Sequence, residues 1–182
     1  MRGMKKILLA SVAGAGLLAS CGGVLTADPV TNLAVSSYST DWQLNSDVRD
    51  QNGQVIPKGT YLICDNKNTK MQVGVTFQGG LQQLALQFKG YNTGTTKTVA
   101  TNPLNATNSS GSGTYEYTFG PNTAPLSVGG GNLSAQAIIV NPITNVTVKG
   151  YTYVRVQGYD LAGNASNVAT SPTAIPVADC AS

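Results

Sequence analysis

Hydrophobic residues alternate with polar ones in two long stretches of this chain. In the first stretch, KMQVGVTFQGGLQQLALQFKG, the apolar residues at alternate positions are Met71, Val73, Val75, Phe77, Leu84, Leu86 and Phe88. A period of two places such side chains on one face of a β-strand, whereas an amphipathic helix needs spacings of three and four. The two runs are separated by Gly79–Gly80, and the pattern predicts a hairpin-like pair of strands.

The second stretch, YTYVRVQGYDLAGNASNVAT, predicts two more strands. One face of its first strand carries Thr152, Val154, Val156 and Gly158, and the other carries Tyr151, Tyr153, Arg155, Gln157 and Tyr159. A turn is expected at Asp160–Asn164, where the Asp160 carboxylate caps the turn by accepting hydrogen bonds from backbone N–H groups. The last strand is expected over Val168–Val177.

Shorter strands are expected between and before these stretches. They are Val30–Ser37 (with one slip of phase), Tyr61–Cys64, Thr114–Phe119, Ala135–Val140 and Thr144–Val148. The run Ala135–Val140 is continuously apolar, so burial is expected there. Short strands separated by Gly, Asn and Pro turns predict an all-β antiparallel sandwich, and 182 residues suit one domain.

The composition favours an exported β protein over a helical cytosolic enzyme. Charged residues make up only 10% of the chain, and histidine is absent. A Ser-His-Asp or Cys-His active site needs a histidine, so both are excluded. We therefore expect no enzyme, no cofactor and no metal, although an active site built from Lys and Ser stays an open alternative.

The first twenty residues are typical of a secretory signal peptide. Arg2, Lys5 and Lys6 precede the apolar run Ile7–Leu18. As a helix this run would rise about 18 Å, which is too short for a hydrocarbon core of about 30 Å. A basic start, a short apolar run and small residues before a cleavage site predict that 1–20 is removed.

The sequence Leu18-Ala19-Ser20-Cys21 resembles the lipobox of bacterial lipoproteins. The resemblance implies cleavage before Cys21, a diacylglyceryl thioether on its thiol, and acylation of its new amine, for example by palmitate. Two or three acyl chains, at about 0.8 kcal/mol per buried methylene, hold a protein on a membrane. A lipidated tether over 21–29 is therefore expected, with the membrane as a partner. Because Gly22 replaces the Asp of an inner-membrane retention signal, the outer membrane or cell surface is favoured.

Removal of the signal peptide changes the charge and the cysteine count. Without Arg2, Lys5 and Lys6, eight of the eleven basic residues remain and balance the eight acidic ones. The remaining cations are scattered, so nucleic-acid binding is not expected. With Cys21 lipidated in an exported protein, Cys64 and Cys180 form an even pair, for which a disulfide is the default interpretation. A metal pair or two free thiols are the alternatives.

The segment GYTYVRVQGYDLAGNASN resembles the penultimate strand, turn and last strand of bacterial Ig-like and fibronectin type III-like domains. The residues that match the family's pattern are Asp160, Ala162, Gly163, Asn164 and Ser166. The resemblance extends over about 70–177 and implies one Ig-like/fibronectin type III-like antiparallel β-sandwich over 30–182. The chain departs from the family at the tyrosine-corner position, which is occupied by Thr152.

Two further features extend this domain. The polar segments Thr101–Gly113 and Gly120–Asn132 have no hydrophobic period and are expected to be long loops. The residues before Cys64 are expected to add N-terminal strands to the same sandwich, or alternatively to form a small separate cap.

Aromatic residues are the candidate ligand-binding groups. Tyr151, Tyr153 and Tyr159 share one strand face, and Trp42 lies near Tyr38. Their faces would stack on sugars, but strand propensity alone also explains the tyrosines. The segment Asn45–Gly53 contains oxygen ligands at short spacing, but it lacks the terminal Glu of an EF-hand, so a turn is favoured over a calcium loop.

These observations predict a lipoprotein anchored in the cell envelope that serves a structural or protein-interaction role through its Ig-like domain. Other envelope proteins are the expected partners. The alternative is a surface module that binds an extracellular ligand such as a polysaccharide.

Overall fold

The computed structural model describes residues 28–90, 94, 96–100, 111–122 and 138–181. Over these residues the protein is all-β, with thirteen strands and no helix. In the described ranges there is accordingly no helix with the length and apolar character needed to cross a membrane. The all-β class predicted from the alternation is confirmed.

The strands before the middle of the chain are β1 (Thr31–Thr40), β2 (Trp42–Leu44), β3 (Val48–Arg49), β4 (Val55–Ile56), β5 (Ile63–Cys64), β6 (Thr69–Gln78) and β7 (Gln83–Gly90). The strands that follow are β8 (Thr96–Ala100), β9 (Gly111–Phe119), β10 (Asn141–Ile143), β11 (Val146–Tyr159), β12 (Ala165–Thr170) and β13 (Ile175–Cys180). The segment up to Cys64 forms β1–β5, but β2 pairs with β10 and β3 pairs with β4, each in a separate two-stranded sheet.

Two larger sheets organise the strands. The first has the order β1-β6-β9, and both of its pairs are antiparallel. The second has the order β5-β13-β11-β7-β8, with β12 also paired to β11. The pairs formed by β11 with β7, β12 and β13 are antiparallel, whereas the short strand β5 runs parallel to β13.

Both large sheets bury their apolar faces in one cluster, which we call the main core. Its buried residues are Val30, Leu33, Ile63, Met71, Val73, Val75, Leu81, Leu84, Leu86, Phe88, Tyr115, Tyr117, Phe119, Val154, Val156 and Ile175. Phe88 is fully buried in it and contacts Tyr117 and Phe119 edge-on, with ring centroids 5.8 and 5.0 Å from theirs. Two sheets that share one core are consistent with a β-sandwich.

A second core lies on the other face of the second sheet, at the end where β11 begins and β13 ends. Its buried residues are Leu44, Ile56, Leu62, Cys64, Ile143, Val148, Ala178 and Cys180. The register of β11 against β13 shifts between Val148 and Gly150, and such a bulge reverses which face the following side chains occupy. Val148 therefore faces the second core, whereas Val154 faces the main core.

The chain enters the sheets at the other end, which we call the N-terminal pole. We define it by the segments Asp28–Val30, Gly79–Gln82 and Gly158–Asn164. The N–H of Gly80 donates to the carbonyl of Asp28 at 2.9 Å. Gly79 has a φ of +85°, and a Cβ at this position would collide with the carbonyl oxygen of Pro29. Only glycine permits this close approach of two backbone segments.

The two strands predicted around Gly79–Gly80 are present as β6 and β7, but the prediction that they pair with each other is wrong. β6 lies in the first sheet and β7 lies in the second. Alternation of apolar and polar residues indicates that one face of each strand is buried, but it does not identify the strand's partner. The buried faces of β6 and β7 pack on the main core from opposite sides. The Gly79–Gln82 connection therefore crosses between sheets.

The predicted final strand Val168–Val177 is split into β12 and β13. Pro172 interrupts it because proline has no N–H for the ladder. At this break the hydroxyl of Ser171 accepts a hydrogen bond from the N–H of Val154 at 3.2 Å, and it donates to the carbonyl of Thr173 at 2.9 Å.

One other strand prediction also needs correction. Over the described part of Ala135–Val140, residues 138–140 form no strand, and the side chain of Ile139 is 84% exposed. Burial begins only at Ile143 in β10, which pairs with β2 and packs in the second core. The register of β1 against β6 shifts between Thr31 and Ala34, where the slip of phase was predicted, and shifts a second time between Val35 and Ser37.

The predicted loops lie largely outside the described residues. Within Thr101–Gly113 the structure describes only 111–113, which belong to β9 rather than to a loop. Within Gly120–Asn132 it describes only 120–122. The predicted signal peptide 1–20 and the predicted lipidation residue Cys21 also lie outside the described residues.

Candidate functional site

A pocket of about 510 Å³ brings together three of the chain's tyrosines. It lies between β1, the outer face of β11 and the short β3–β4 hairpin. Its walls include Tyr38, Val55, Pro57, Tyr151, Tyr153 and Pro176. We call it the tyrosine pocket, and its size falls in the usual range for small-ligand sites, about 300–1,000 Å³.

Tyr151 connects the pocket to the β3–β4 hairpin. Its hydroxyl donates a hydrogen bond to Oδ2 of Asp50 at 2.8 Å. Burial, together with the neighbouring carboxylate, raises the pKa of Tyr151 to about 12. The neutral hydroxyl is therefore the stable form at neutral pH, and it fixes the hairpin against β11.

Asp50 also organises the turn of this hairpin. Its Oδ1 accepts hydrogen bonds from the N–H groups of Asn52 and Gln54, at 2.8 and 2.9 Å. Gly53 adopts a φ of +79°, which glycine permits without strain. The hydrogen bond from Tyr151 and those from the backbone hold the pKa of Asp50 below its usual value.

In the segment Asn45–Gly53, for which a calcium loop was the alternative interpretation, the structure has a turn. Both carboxylate oxygens of Asp50 have protein donors, and Oδ1 of Asp47 accepts a hydrogen bond from the N–H of Lys58 at 2.8 Å. In the part of the chain that the structure describes, no three His, Cys, Asp or Glu residues form a metal-binding group.

The turn after β11 repeats the geometry of the Asp50 turn. Oδ1 of Asp160 accepts from the N–H groups of Ala162 and Asn164, at 2.9 and 2.8 Å, which confirms the predicted cap. Its Oδ2 accepts from the side-chain amide of Asn164 at 2.9 Å. The hydrogen bonds from Asn164 and the backbone hold the pKa of Asp160 below its usual value.

Tyr38 and Tyr153 complete the aromatic part of the pocket. The hydroxyls of Tyr38 and Thr173 lie 2.8 Å apart, within hydrogen-bonding distance. Tyr153 lies two residues after Tyr151, so both side chains point to the same outer face of β11. The prediction from the sequence placed Tyr151 and Tyr153 on this face but gave no sign of the β3–β4 wall, because Asp50 and Tyr151 are 101 residues apart.

Trp42 and Tyr159, the other predicted aromatic groups, lie elsewhere. Trp42 packs against the second core, its indole N–H donates to the carbonyl of Asn68 at 3.0 Å, and Nζ of Lys67 lies 5.0 Å from its ring centroid. Tyr159 borders a different pocket and donates to Oε1 of Gln157 at 3.3 Å. The structure therefore brings together two of the four predicted residues.

The disulfide predicted between Cys64 and Cys180 is present. Its two Cα atoms lie 5.5 Å apart, and both cysteines are fully buried in the second core. It joins β5 to the end of β13 across 116 residues of sequence, and so attaches the N-terminal strands to the second sheet.

Comparison of this chain with protein-family models, with curated proteins and with solved structures found no match.

Proposed function

We propose that this protein is a lipid-anchored protein of the bacterial cell envelope, not an enzyme, and that it presents an Ig-like, fibronectin type III-like sandwich to other envelope proteins. The observation that carries the proposal is that the N-terminal pole and the second core lie at opposite ends of the domain. The chain enters at the N-terminal pole, while the second core lies at the opposite end and the tyrosine pocket on the outer side of β11.

The strand order supports the Ig-like part of this proposal. Strands β1, β6 and β9 form one sheet, and β8, β7, β11 and β12–β13 follow one another in the other. With β12 and β13 counted as one interrupted strand and the two-residue β5 left out, three strands face four, which is the seven-strand number of an Ig-type sandwich. The tyrosine corner is missing, because Thr152 occupies its position, and the buried hydroxyl of Thr152 has no hydrogen-bond partner among the described residues. The strands β2–β5 are an insertion between the first two sandwich strands.

The anchor rests on the sequence LLASC and is tested by Cys21→Ala. We expect the variant to lose incorporation of labelled palmitate and to accumulate as a larger precursor or a released protein. Cys64→Ser combined with Cys180→Ser is the matched control, since it removes the other two cysteines and should keep the lipid. A Cys21→Ala protein that stays membrane-bound at mature size would contradict the anchor.

The partner is tested by crosslinking in intact cells from two matched positions. Val55 lines the tyrosine pocket, whereas Val168 lies on β12, and both side chains are 44% exposed. A photoreactive amino acid at position 55 should capture an envelope protein that mass spectrometry identifies. The same group at position 168 should not capture it. Equal capture at both positions would show that the pocket does not select the partner.

A glycan ligand is the second candidate function, and the tyrosine pocket favours it. Aromatic faces bordering a concave site are suited to stacking on sugar rings. Tyr153→Ala should abolish binding in a polysaccharide pull-down, whereas Tyr159→Ala, on the same strand but outside the pocket, should retain it. If the protein binds no glycan on an array, this candidate function is excluded and binding of an envelope protein remains.

A further inference from the structure

We infer that the N-terminal pole lies against the membrane surface, that Leu161 contacts the lipid there, and that the second core faces away from the membrane. This inference rests on the proposed lipid anchor. It adds the orientation of the domain and a second contact with the bilayer, which the anchor alone does not specify.

Three segments that are distant in sequence converge at this pole. The N–H of Gly80 donates to the carbonyl of Asp28, and the N–H of Gln82 donates to the carbonyl of Tyr159 at 2.8 Å. Val30 is buried in the main core, where its side chain packs close to Gly158. The place where the chain leaves the fold toward Cys21 is therefore fixed rather than hinged.

The connection from Cys21 to Asp28 is short compared with the domain. Seven Cα–Cα steps separate these residues, so their Cα atoms lie at most about 25 Å apart. Strand β6 alone has ten residues and a length of about 33 Å. The anchor therefore keeps the N-terminal pole within about 25 Å of the lipidated residue, which is less than the length of β6.

Leu161 gives this pole an apolar tip. It is 53% exposed, and it sits in the turn that the carboxylate of Asp160 holds rigid through three hydrogen bonds. A large apolar side chain on a rigid turn is suited to the interfacial region of a bilayer. Asp160 itself is buried and does not oppose this contact.

The two ends of the domain also differ in their charged residues. At the N-terminal pole the described charged residues are Asp28 and the buried Asp160. The opposite end carries a cluster in which Nζ of Lys149 lies 2.9 Å from both Asp65 and Asp179. Arg49 and Lys58 are also exposed at that end. Desolvating such groups against lipid is costly, which disfavours contact through this cluster.

The single tryptophan of the chain supplies a test, because Trp42 lies beside the second core. The lipidated protein is reconstituted into vesicles that contain lipids with brominated acyl chains, which quench indole fluorescence at close range. Trp42 in the native protein should be quenched little. In Trp42→Phe/Leu161→Trp the indole at position 161 should be quenched several-fold more strongly.

Trp42→Phe/Lys58→Trp is the matched control, since position 58 is an exposed turn residue near the second core. Its quenching should be as weak as that of Trp42. An environment-sensitive dye attached through Ala162→Cys gives a second readout that leaves the native Trp42 and Leu161 in place, and its emission should shift to the blue on vesicles.

The outcomes separate this inference from the anchor on which it rests. If mass spectrometry finds no lipid on Cys21 and the protein does not bind vesicles, both are overturned. If the lipid is present but positions 161 and 58 are quenched equally and the dye does not respond, the anchor stands and the orientation is wrong.

Discussion

The main core and the second core share β11 and β13 but are stabilised in different ways. Among the described residues, sixteen buried hydrophobic side chains from both large sheets form the main core. The second core has eight, and two of these are the linked cysteines. Since hydrophobic stabilisation grows with the apolar area removed from water, the smaller cluster depends more on covalent and polar links.

The polar links are hydrogen bonds between side chains and the backbone near β5 and β13. The hydroxyl of Thr40 donates to the carbonyl of Leu62 at 2.8 Å. The side chain of Asn66 makes two hydrogen bonds with the backbone of Cys180, at 2.8 and 3.2 Å. The strands β2–β5 contain only two or three residues each, so side chains replace the long ladders that hold the main sheets.

The largest effect is expected from Phe88→Ala in the main core. It removes an aromatic ring that is fully buried between Tyr117 and Phe119, and such changes cost about 3–5 kcal/mol. Denaturant unfolding should show this loss in the free energy of unfolding, with both cores unfolding together. Leu161→Ala, at an exposed position, is the control and should change stability by less than about 0.5 kcal/mol.

Removal of the disulfide is expected to have the next largest effect and to act first on the second core. Cys64→Ser with Cys180→Ser should cost about 2–4 kcal/mol, within the chain-entropy limit of about 5 kcal/mol for so long a loop. Hydrogen exchange should accelerate at Leu62 and Ala178 before it does at Val73 and Val154. Uniform acceleration at all four amides would contradict a separately stabilised second core.

Contacts close in sequence were predictable, whereas those that build the site were not. Alternation identified β6, β7 and β11 because one face of each is buried, and the Asp160 cap followed from a motif of five residues. The same kind of turn at Asp50 gave no sign of its bond to Tyr151. The exposed side chain of Ile139 was missed because a short apolar run has no period that distinguishes burial from exposure.

A smaller effect is expected from the hydrogen bond that attaches the β3–β4 hairpin. Tyr151→Phe should cost about 1 kcal/mol, because it removes the hydroxyl donor to Asp50 without changing the ring. A double-mutant cycle with Asp50→Ala should give a clear coupling free energy in denaturant unfolding. The same cycle of Tyr151→Phe with Asp160→Ala should be additive, since Asp160 makes its hydrogen bonds within its own turn.

The smallest effect is a change in the titration of one carboxylate. The bond from Tyr151 is the main cause of the lowered pKa of Asp50, so Tyr151→Phe should raise this pKa toward its ordinary value of 3.8. A group with a lowered folded-state pKa stabilises the fold above its ordinary pKa and loses this contribution as the pH falls through the folded-state value. The variant should therefore lose less stability than the native protein on acidification below about pH 4.

Carbon-13 NMR of the carboxyl groups measures this change directly, and Asp160 is its internal control. The pKa of Asp160 is lowered mainly by Asn164, so it should be unchanged in Tyr151→Phe and should rise in Asn164→Ala. Each turn has the same pattern of backbone hydrogen bonds to its own aspartate. The difference between the two carboxylates therefore isolates what the Tyr151 hydroxyl contributes to the pKa of Asp50. Parallel shifts of both carboxylates in Tyr151→Phe would mean that the turns respond to a common change in the fold and not to their separate partners.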